Sequence, residues 1–283
     1  MAVQPELLID GLAWPESLRW HGGALWISDV HNFRVVRLEP GAAPQIVATP
    51  GGRPSGMAFA PDGRLLLATA LDKKLWWVLP NGELEVAVDL SDQVSGVLND
   101  MIVDAQGRAW VGDTGFDLLR GESPQPGAVL TWQPGEASAT VAAADVEFPN
   151  GMAISADGAT LYLAETFGRR ITAFDVVPGG RLERRRLRAS LTERPDGLCL
   201  DVAGALWVPL LWQQEIQRVS HAGEVIERIQ FESERVISCV LGGPDRRTLF
   251  IGIARMEEPS GLPPRRFGSV VRIRVDIPGA GIP

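Results

Sequence analysis

The chain has 283 residues, 45% hydrophobic and 22% charged, which supplies a sizeable core and excludes a disordered polymer. Lys and Arg number 27 against 35 Asp and Glu, a net charge of −8, so the overall field is opposite to the one a nucleic-acid binder needs. Gly (31) and Pro (21) are abundant, which calls for many turns between short elements, and no apolar run approaches the ~18 residues of a membrane span.

In chain order, the N-terminus MAVQPELLID carries no basic stretch followed by an apolar one, so nothing marks it for secretion and the default compartment is the cytoplasm. The apolar segment Glu6–Asp10 follows, ahead of the first turn by more than a hairpin's worth of chain. Six times thereafter a tight turn leads into an apolar run: HGGALWIS (21–28), PDGRLLLA (61–68), AQGRAWVG (105–112), ADGATLYL (156–163), VAGALWVP (202–209) and PDRRTLFI (244–251). Anchored on Gly23, Gly63, Gly107, Gly158, Gly204 and Arg246, the turns are spaced 40, 44, 51, 46 and 42 residues apart. Each interval has room for four strands of ~5–6 residues. Pairs such as Asp62-Gly63 and Asn81-Gly82 supply the positive φ that two-residue hairpin turns require. Repetition at this period predicts an all-β, six-bladed β-propeller with four-stranded antiparallel blades, a single domain over residues 1–283. The alternating C-terminal run Ser269–Asp276 is expected to share the last blade with the N-terminal strand, which completes the sheet begun after residue 235 and closes the ring.

Other segments fit inside that frame. The basic run Arg181–Arg188 reads as a solvated strand edge, and Cys199 and Cys239, each in an apolar run, read as small buried thiols. Two long loops, 115–127 and 254–268, are candidate lids.

The innermost strands of a propeller surround its axis, so one repeat position contributes one ring of side chains. Eight residues before the anchors stand Ser55, Asn99, Asn150, Asp196 and Ser238, and seven before the first stands Glu16. No member is apolar. Two carboxylates converging with two amide carbonyls repel unless a cation lies between them. Glu16, Asn99, Asn150 and Asp196 therefore make an all-oxygen cage for a hard divalent cation, Ca²⁺ first, with Mn²⁺, Zn²⁺, Mg²⁺ or Fe²⁺ as alternatives. Asp100, beside Asn99, reads either as a residue that orients the site or as a backbone cap at the start of its strand. Loops between the second and third strands of each blade open on the same face, and with the approach to the first ring residue they bring Trp14, Asp113, Phe116, Glu165, Phe167 and Trp212 to the pocket as candidate substrate contacts alongside Asn99.

The segments WPESLRW (14–20), RPSGMAFAPDG (53–63), LNDMIVDAQGRAWVGD (98–113), FPNGMAISADG (148–158) and RPDGLCLDVAGALWV (194–208) resemble, along the whole chain, the senescence-marker-protein/gluconolactonase family of six-bladed propellers. The resemblance implies a divalent metal, commonly Ca²⁺, held by Glu16, Asn150 and Asp196, with Asn99 as a further ligand or a substrate-holding residue. It implies hydrolysis of sugar lactones, with Asp196 as acid/base or nucleophile. Several relatives carry an Arg two residues before the Asn of LND to hold sugar hydroxyls, and Val97 stands there instead. A Glu of the family corresponds to Asp113. The expected function is a metal-dependent hydrolase of lactones in which the cation polarises the carbonyl and Asp196 is the general base. Two other readings are a non-catalytic ligand- or protein-binding propeller with a structural cation, and an aryl-esterase or phosphotriesterase on the same cage. The expected partner is a small lactone or ester, with no nucleic acid and no membrane, and nothing in the sequence fixes an oligomeric state.

Overall fold

The computed structural model describes residues 4–257 and 265–281. β1 (Glu6–Leu12) comes first in the chain and last in the ring. Blade 1 follows as β2 (Pro15–His21), β3 (Ala24–Asp29), β4 (Arg34–Leu38) and β5 (Gln45–Ala48). Blade 2 is β6 (Pro54–Phe59), β7 (Leu65–Thr69), β8 (Lys74–Val78) and β9 (Leu84–Asp89). Blade 3 is β10 (Leu98–Val103), β11 (Ala109–Asp113), β12 (Gly127–Trp132) and β13 (Thr140–Val146). Blade 4 is β14 (Pro149–Ile154), β15 (Thr160–Glu165), β16 (Arg170–Val176) and β17 (Leu182–Ser190). Blade 5 is β18 (Cys199–Leu200), β19 (Leu206–Leu210), β20 (Glu215–Val219) and β21 (Val225–Gln230). Blade 6 is β22 (Arg235–Gly242), β23 (Thr248–Glu257) and β24 (Arg265–Arg274), completed by β1 pairing antiparallel to β24.

The six expected blades are therefore present, and both chain ends share the last one. Each predicted anchor lies in the turn between the first and second strand of its blade. Helical structure among the described residues is limited to two 3-10 turns, Val30–Asn32 and Leu118–Arg120, and no helix is long and apolar enough to cross a membrane. The basic run sits on β17, the outer strand of blade 4, with residues Glu183 to Leu187 exposed. Loop 254–268 is mostly a continuation of the β23–β24 hairpin, paired as far as Glu257 and Arg265, and its tip at 258–264 lies outside the described residues.

The core lies between blades rather than inside any one, because each sheet is apolar on both faces. Leu66, Leu75 and Trp77 of blade 2 pack against Leu98, Val111 and Trp132 of blade 3. Trp110 packs with Met152 and Leu161 of blade 4, and its Nε1 donates to the Gly180 carbonyl at 2.8 Å. Truncating such a fully buried Trp costs ~3–5 kcal/mol.

Around the axis the innermost strands meet directly. Gly151 N–H donates to the Asp196 carbonyl (3.0 Å) and Gly197 N–H to the Ile237 carbonyl (2.9 Å), linking blades 4, 5 and 6. A Cβ at Gly56 would stand 2.6 Å from the Asn99 carbonyl oxygen, and one at Gly151 would stand 2.5 Å from Leu198 N. Glycine follows the ring residue in those blades because backbone from the next blade occupies the side-chain space.

Candidate functional site

A repeated bulge aims the ring. In five blades the pairing of first and second strands shifts register at this place: between Glu16 and Arg19, Pro54 and Met57, Leu98 and Met101, Pro149 and Met152, and Val236 and Ser238. The extra residue bends the strand and turns the ring side chain off the sheet plane toward the axis. Five strands bulged beside the ring residue explain why counting seven or eight residues back from the turn finds the ring.

Glu16, Ser55, Asn99, Asn150 and Asp196 line one cavity of ≈300 Å³ at the channel mouth, a volume at the lower end for small-molecule sites. Ser238, the sixth member, is absent from that lining and donates instead to the Pro15 carbonyl (2.7 Å) across the blade 6–blade 1 seam. A larger cavity of ≈520 Å³ is lined by the inner hairpin turns Gly22-Gly23 and Gly243-Pro244 and presents no carboxylate or side-chain amide.

The polar groups of the ring are individually tethered. Glu16 Oε1 accepts from Trp14 Nε1 at 2.6 Å. Asn99 Nδ2 donates to the Pro149 carbonyl (3.1 Å), and Asn150 Nδ2 to Thr166 Oγ1 (3.2 Å), whose hydroxyl donates to the Pro195 carbonyl (2.9 Å). Asp196 is 5% exposed. Burial first, then the Glu16 charge and more weakly that of Asp100, push its carboxyl well above the usual carboxylate range, against a hydrogen bond with Asn150 that lowers it. Among the described residues no three His, Cys, Asp or Glu side chains cluster in a way that could hold a metal, since two of the four donors here are amides. The donor set nonetheless fits a hard divalent cation: it is all oxygen, both amides use an NH₂ hydrogen on a neighbour, and the partly buried Glu16 carboxylate acts through its charge on the buried Asp196 carboxyl in the same cavity.

Asp100 points away from the cavity. Its Oδ1 accepts from Ser17 Oγ (2.8 Å), Arg19 Nη2 (2.8 Å) and Met101 N (2.9 Å). It acts on Asp196 only through its charge.

The expected substrate contacts divide into two groups. Trp14, Asn99 and Trp212 line the cavity. Phe116 and Phe167 sit one layer behind it, packed at 5.3 and 5.2 Å centroid separation on Phe148, which does line it. Phe148 holds φ +61°, an uncommon conformation for a bulky side chain, immediately before the Pro149-Asn150 pair. Asp113 and Glu165 lie outside the lining, each at the end of its blade's second strand. Asp113 accepts from Ser95, Gly96 and Gly115 N–H groups, and Glu165 from Glu147 N–H, Arg170, Arg185 and Thr172. Asp29 does the same in blade 1, accepting from Ala13 N–H at 2.7 Å. This position is a repeated brace for the segment that enters the inner strand.

The cavity also has walls that the sequence reading did not single out. His31 and Arg53 line it, as do Leu118 and Leu119 from the 3-10 turn inside loop 115–127. Asp117 caps that turn, accepting from Leu119 N (2.9 Å) and Arg120 N (3.3 Å), and it presents the two leucines, 49% and 57% exposed, at the mouth. One signal in the sequence marks part of this wall: Trp14, Arg53, Val97 and Phe148 all stand two residues before a ring residue.

Comparison with known proteins bears on this geometry. The model of the SMP-30/gluconolactonase/LRE-like region matches residues 14–255. A 6-deoxy-6-sulfogluconolactonase of Pseudomonas putida is 32% identical over 193 residues, 65% of this chain and 64% of that protein. The chain thus spans a little under two thirds of that curated relative's length. A pentonolactonase of Haloferax volcanii is 25% identical over 253 residues, 87% of this chain and 81% of that one. A calcium-binding protein, regucalcin, of Agrobacterium tumefaciens superposes with a TM-score of 0.80 over 98% of this chain and 96% of that one at 18% identity, which is likeness of fold.

Proposed function

This chain belongs to the SMP-30/gluconolactonase/LRE-like family, and from that premise we propose that it is a metal-dependent lactone hydrolase working at the axial ring. The observation that carries the reading is that oxygen-bearing side chains from four blades, Glu16, Asn99, Asn150 and Asp196, line a single cavity. Two relatives whose names make them lactonases support the substrate class.

Glu16, Asn99, Asn150 and Asp196 would hold the divalent cation, Ca²⁺ before the alternatives, and when bound it would supply Lewis acidity toward the lactone carbonyl. The remaining work falls to the chain's own groups. The Asp196 carboxylate takes a proton from the attacking water at Oδ and returns it to the ring oxygen as the C–O bond breaks. Thr166, bonded to both Asn150 and the Pro195 carbonyl, fixes the amide's orientation. Trp14, Phe148, Leu118, Leu119 and Trp212 present apolar surface around the polar floor, excluding bulk water from the reacting carbonyl.

The test is a panel of γ- and δ-lactones assayed with stripped protein and after Ca²⁺ or Mn²⁺ is added back. Turnover that disappears on chelation and returns with metal is expected. Metal binding seen as a thermal shift, with no lactone turned over, would instead favour a non-catalytic propeller with a structural cation.

A further inference from the structure

We propose that Arg53 makes this cavity selective for lactones that carry a second, permanently anionic group, a carboxylate or sulfonate, on the arm remote from the carbonyl. The proposal rests on the lactone-hydrolase reading above. Arg53 lines the cavity and is the one Arg or Lys that does so among the described residues. It stands two residues before Ser55, the repeat position filled by Trp14 in blade 1, Val97 in blade 3 and Phe148 in blade 4. Its backbone is fixed there by the Ala70 N–H, which donates to the Arg53 carbonyl at 2.8 Å.

Neighbouring cations on that rim are already engaged. Lys73 Nζ donates to the Val94 carbonyl (2.8 Å), and Arg255 pairs with Glu234 (2.6 Å). Arg194 lies over the Phe167 ring (4.7 Å) and Arg235 over the Trp212 ring (3.3 Å). The Arg53 guanidinium makes no hydrogen bond, ion pair or ring contact within the described residues, although it is only partly exposed. Asp72, whose Oδ1 lies beside Gly52, the residue before Arg53, and is buried without a hydrogen-bond partner, makes no hydrogen bond or ion pair with it.

A partly desolvated guanidinium without a counter-charge is costly, and its planar donor fork matches a carboxylate or sulfonate in a bidentate pair. Val97, Leu118, Leu119 and Phe148 make much of the same lining apolar, so a neutral polyol arm laid against them would find few partners. An anionic arm would find one strong one. Asp117, the third carboxylate of the lining, is engaged by Arg120 and by the N–H groups of its own 3-10 turn; once a divalent cation matches the two ring carboxylates, Arg53 is left without a paired counter-charge.

Two probes that differ only at the terminal carbon decide this: D-glucaro-1,4-lactone, which carries a carboxylate, and neutral D-glucono-1,4-lactone. Both are assayed with wild type, Arg53→Gln and Arg53→Lys, and equilibrium binding of the hydrolysed acids, glucarate and gluconate, is measured calorimetrically on the same proteins. Wild type is expected to favour the anionic lactone, with a KM that rises with ionic strength. Arg53→Gln should lower kcat/KM for it by about 100-fold while leaving the neutral lactone within about threefold, and Arg53→Lys should recover part of the loss. Equal loss on both lactones, or a preference unchanged in Arg53→Gln, would overturn the proposal. If neither lactone is turned over by wild type, the lactonase reading falls, and Arg53 is judged on binding alone: glucarate held no more tightly than gluconate, or equally by wild type and Arg53→Gln, overturns it too. Asp72→Asn is the control for a structural role. A melting temperature lowered to the same extent by Arg53→Gln, Asp72→Asn and the double variant would show that the two residues serve each other rather than a ligand.

Discussion

Arg19 of blade 1 donates through Nη2 to Asp100 of blade 3 at 2.8 Å, and to the Met101 carbonyl at 2.7 Å, with both side chains almost fully buried. The pair ties two blades together across the innermost strands just beyond the ring. Asp100→Ala should cost ~3–5 kcal/mol, because it leaves a guanidinium buried without its counter-charge. Replacing both residues by apolar ones of similar volume should cost clearly less. Denaturant unfolding of the two single variants and the double variant measures this, and additive losses would show that the pair is not coupled.

Ring closure gives a second expectation. β1 covers the edge of β24 and contributes Leu12 to the core between blades 6 and 1. Removing residues 1–12 should lower the midpoint of a still cooperative thermal transition by roughly 10 °C, from a loss of ~3 kcal/mol or more. Local fraying alone would leave the midpoint in place and show up only as faster amide exchange along β24.

The fold was legible because its signals are local and repeated: six turns that need positive φ, set at one period, imply six hairpins and hence six blades. The ring was legible for the same reason, since its members recur seven or eight residues before each turn, beside a bulge in five of the blades. What the sequence does not reveal is which way a loop residue faces. Asp113 and Glu165 look like pocket acids by position, yet they sit at the strand ends where Asp29 also sits, with their oxygens taken by backbone N–H groups and, at Glu165, by Arg170 and Arg185. Phe116 and Phe167 are one packing layer too far back, behind Phe148. Leu118 and Leu119 reach the mouth only because Asp117 nucleates a 3-10 turn, a contact invisible before the loop is folded.

Glu165 yields a pH-dependent expectation. Burial alone would raise its carboxyl, but hydrogen bonds from Arg170, Thr172 and the Glu147 N–H, with the charge of Arg185, outweigh it and hold the carboxyl below its ordinary value of 4.5. A carboxyl lowered by folding adds stability that is fully present above its unfolded value and is lost as pH falls through the folded one. Glu165→Gln should therefore be destabilising by ~3 kcal/mol at neutral pH, and the gap to wild type should narrow as pH drops below about 4.5. A gap independent of pH would mean that the carboxylate's charge contributes nothing.

Asp196→Asn separates the site's chemistry from its stability. Burial and the facing Glu16 carboxylate disfavour charge at this position, so the variant in chelated buffer should melt no lower than stripped wild type. Turnover should fall by ~10²–10⁴-fold, and added Ca²⁺ should raise its melting temperature less than it raises that of wild type. Full activity in Asp196→Asn would remove the residue from its proposed role.

The most direct test of the central claim is lactone hydrolysis by one preparation, followed through chelation and metal return, with Asn150→Ala measured in parallel as a variant that loses one proposed ligand but keeps both carboxylates. Turnover that vanishes on chelation and is restored by Ca²⁺ or Mn²⁺ is expected, with Asn150→Ala needing a higher metal concentration for half-restoration. Hydrolysis that continues unchanged in stripped protein, or an Asn150→Ala variant restored at the wild-type concentration, would contradict a cation held by this ring as the basis of the activity.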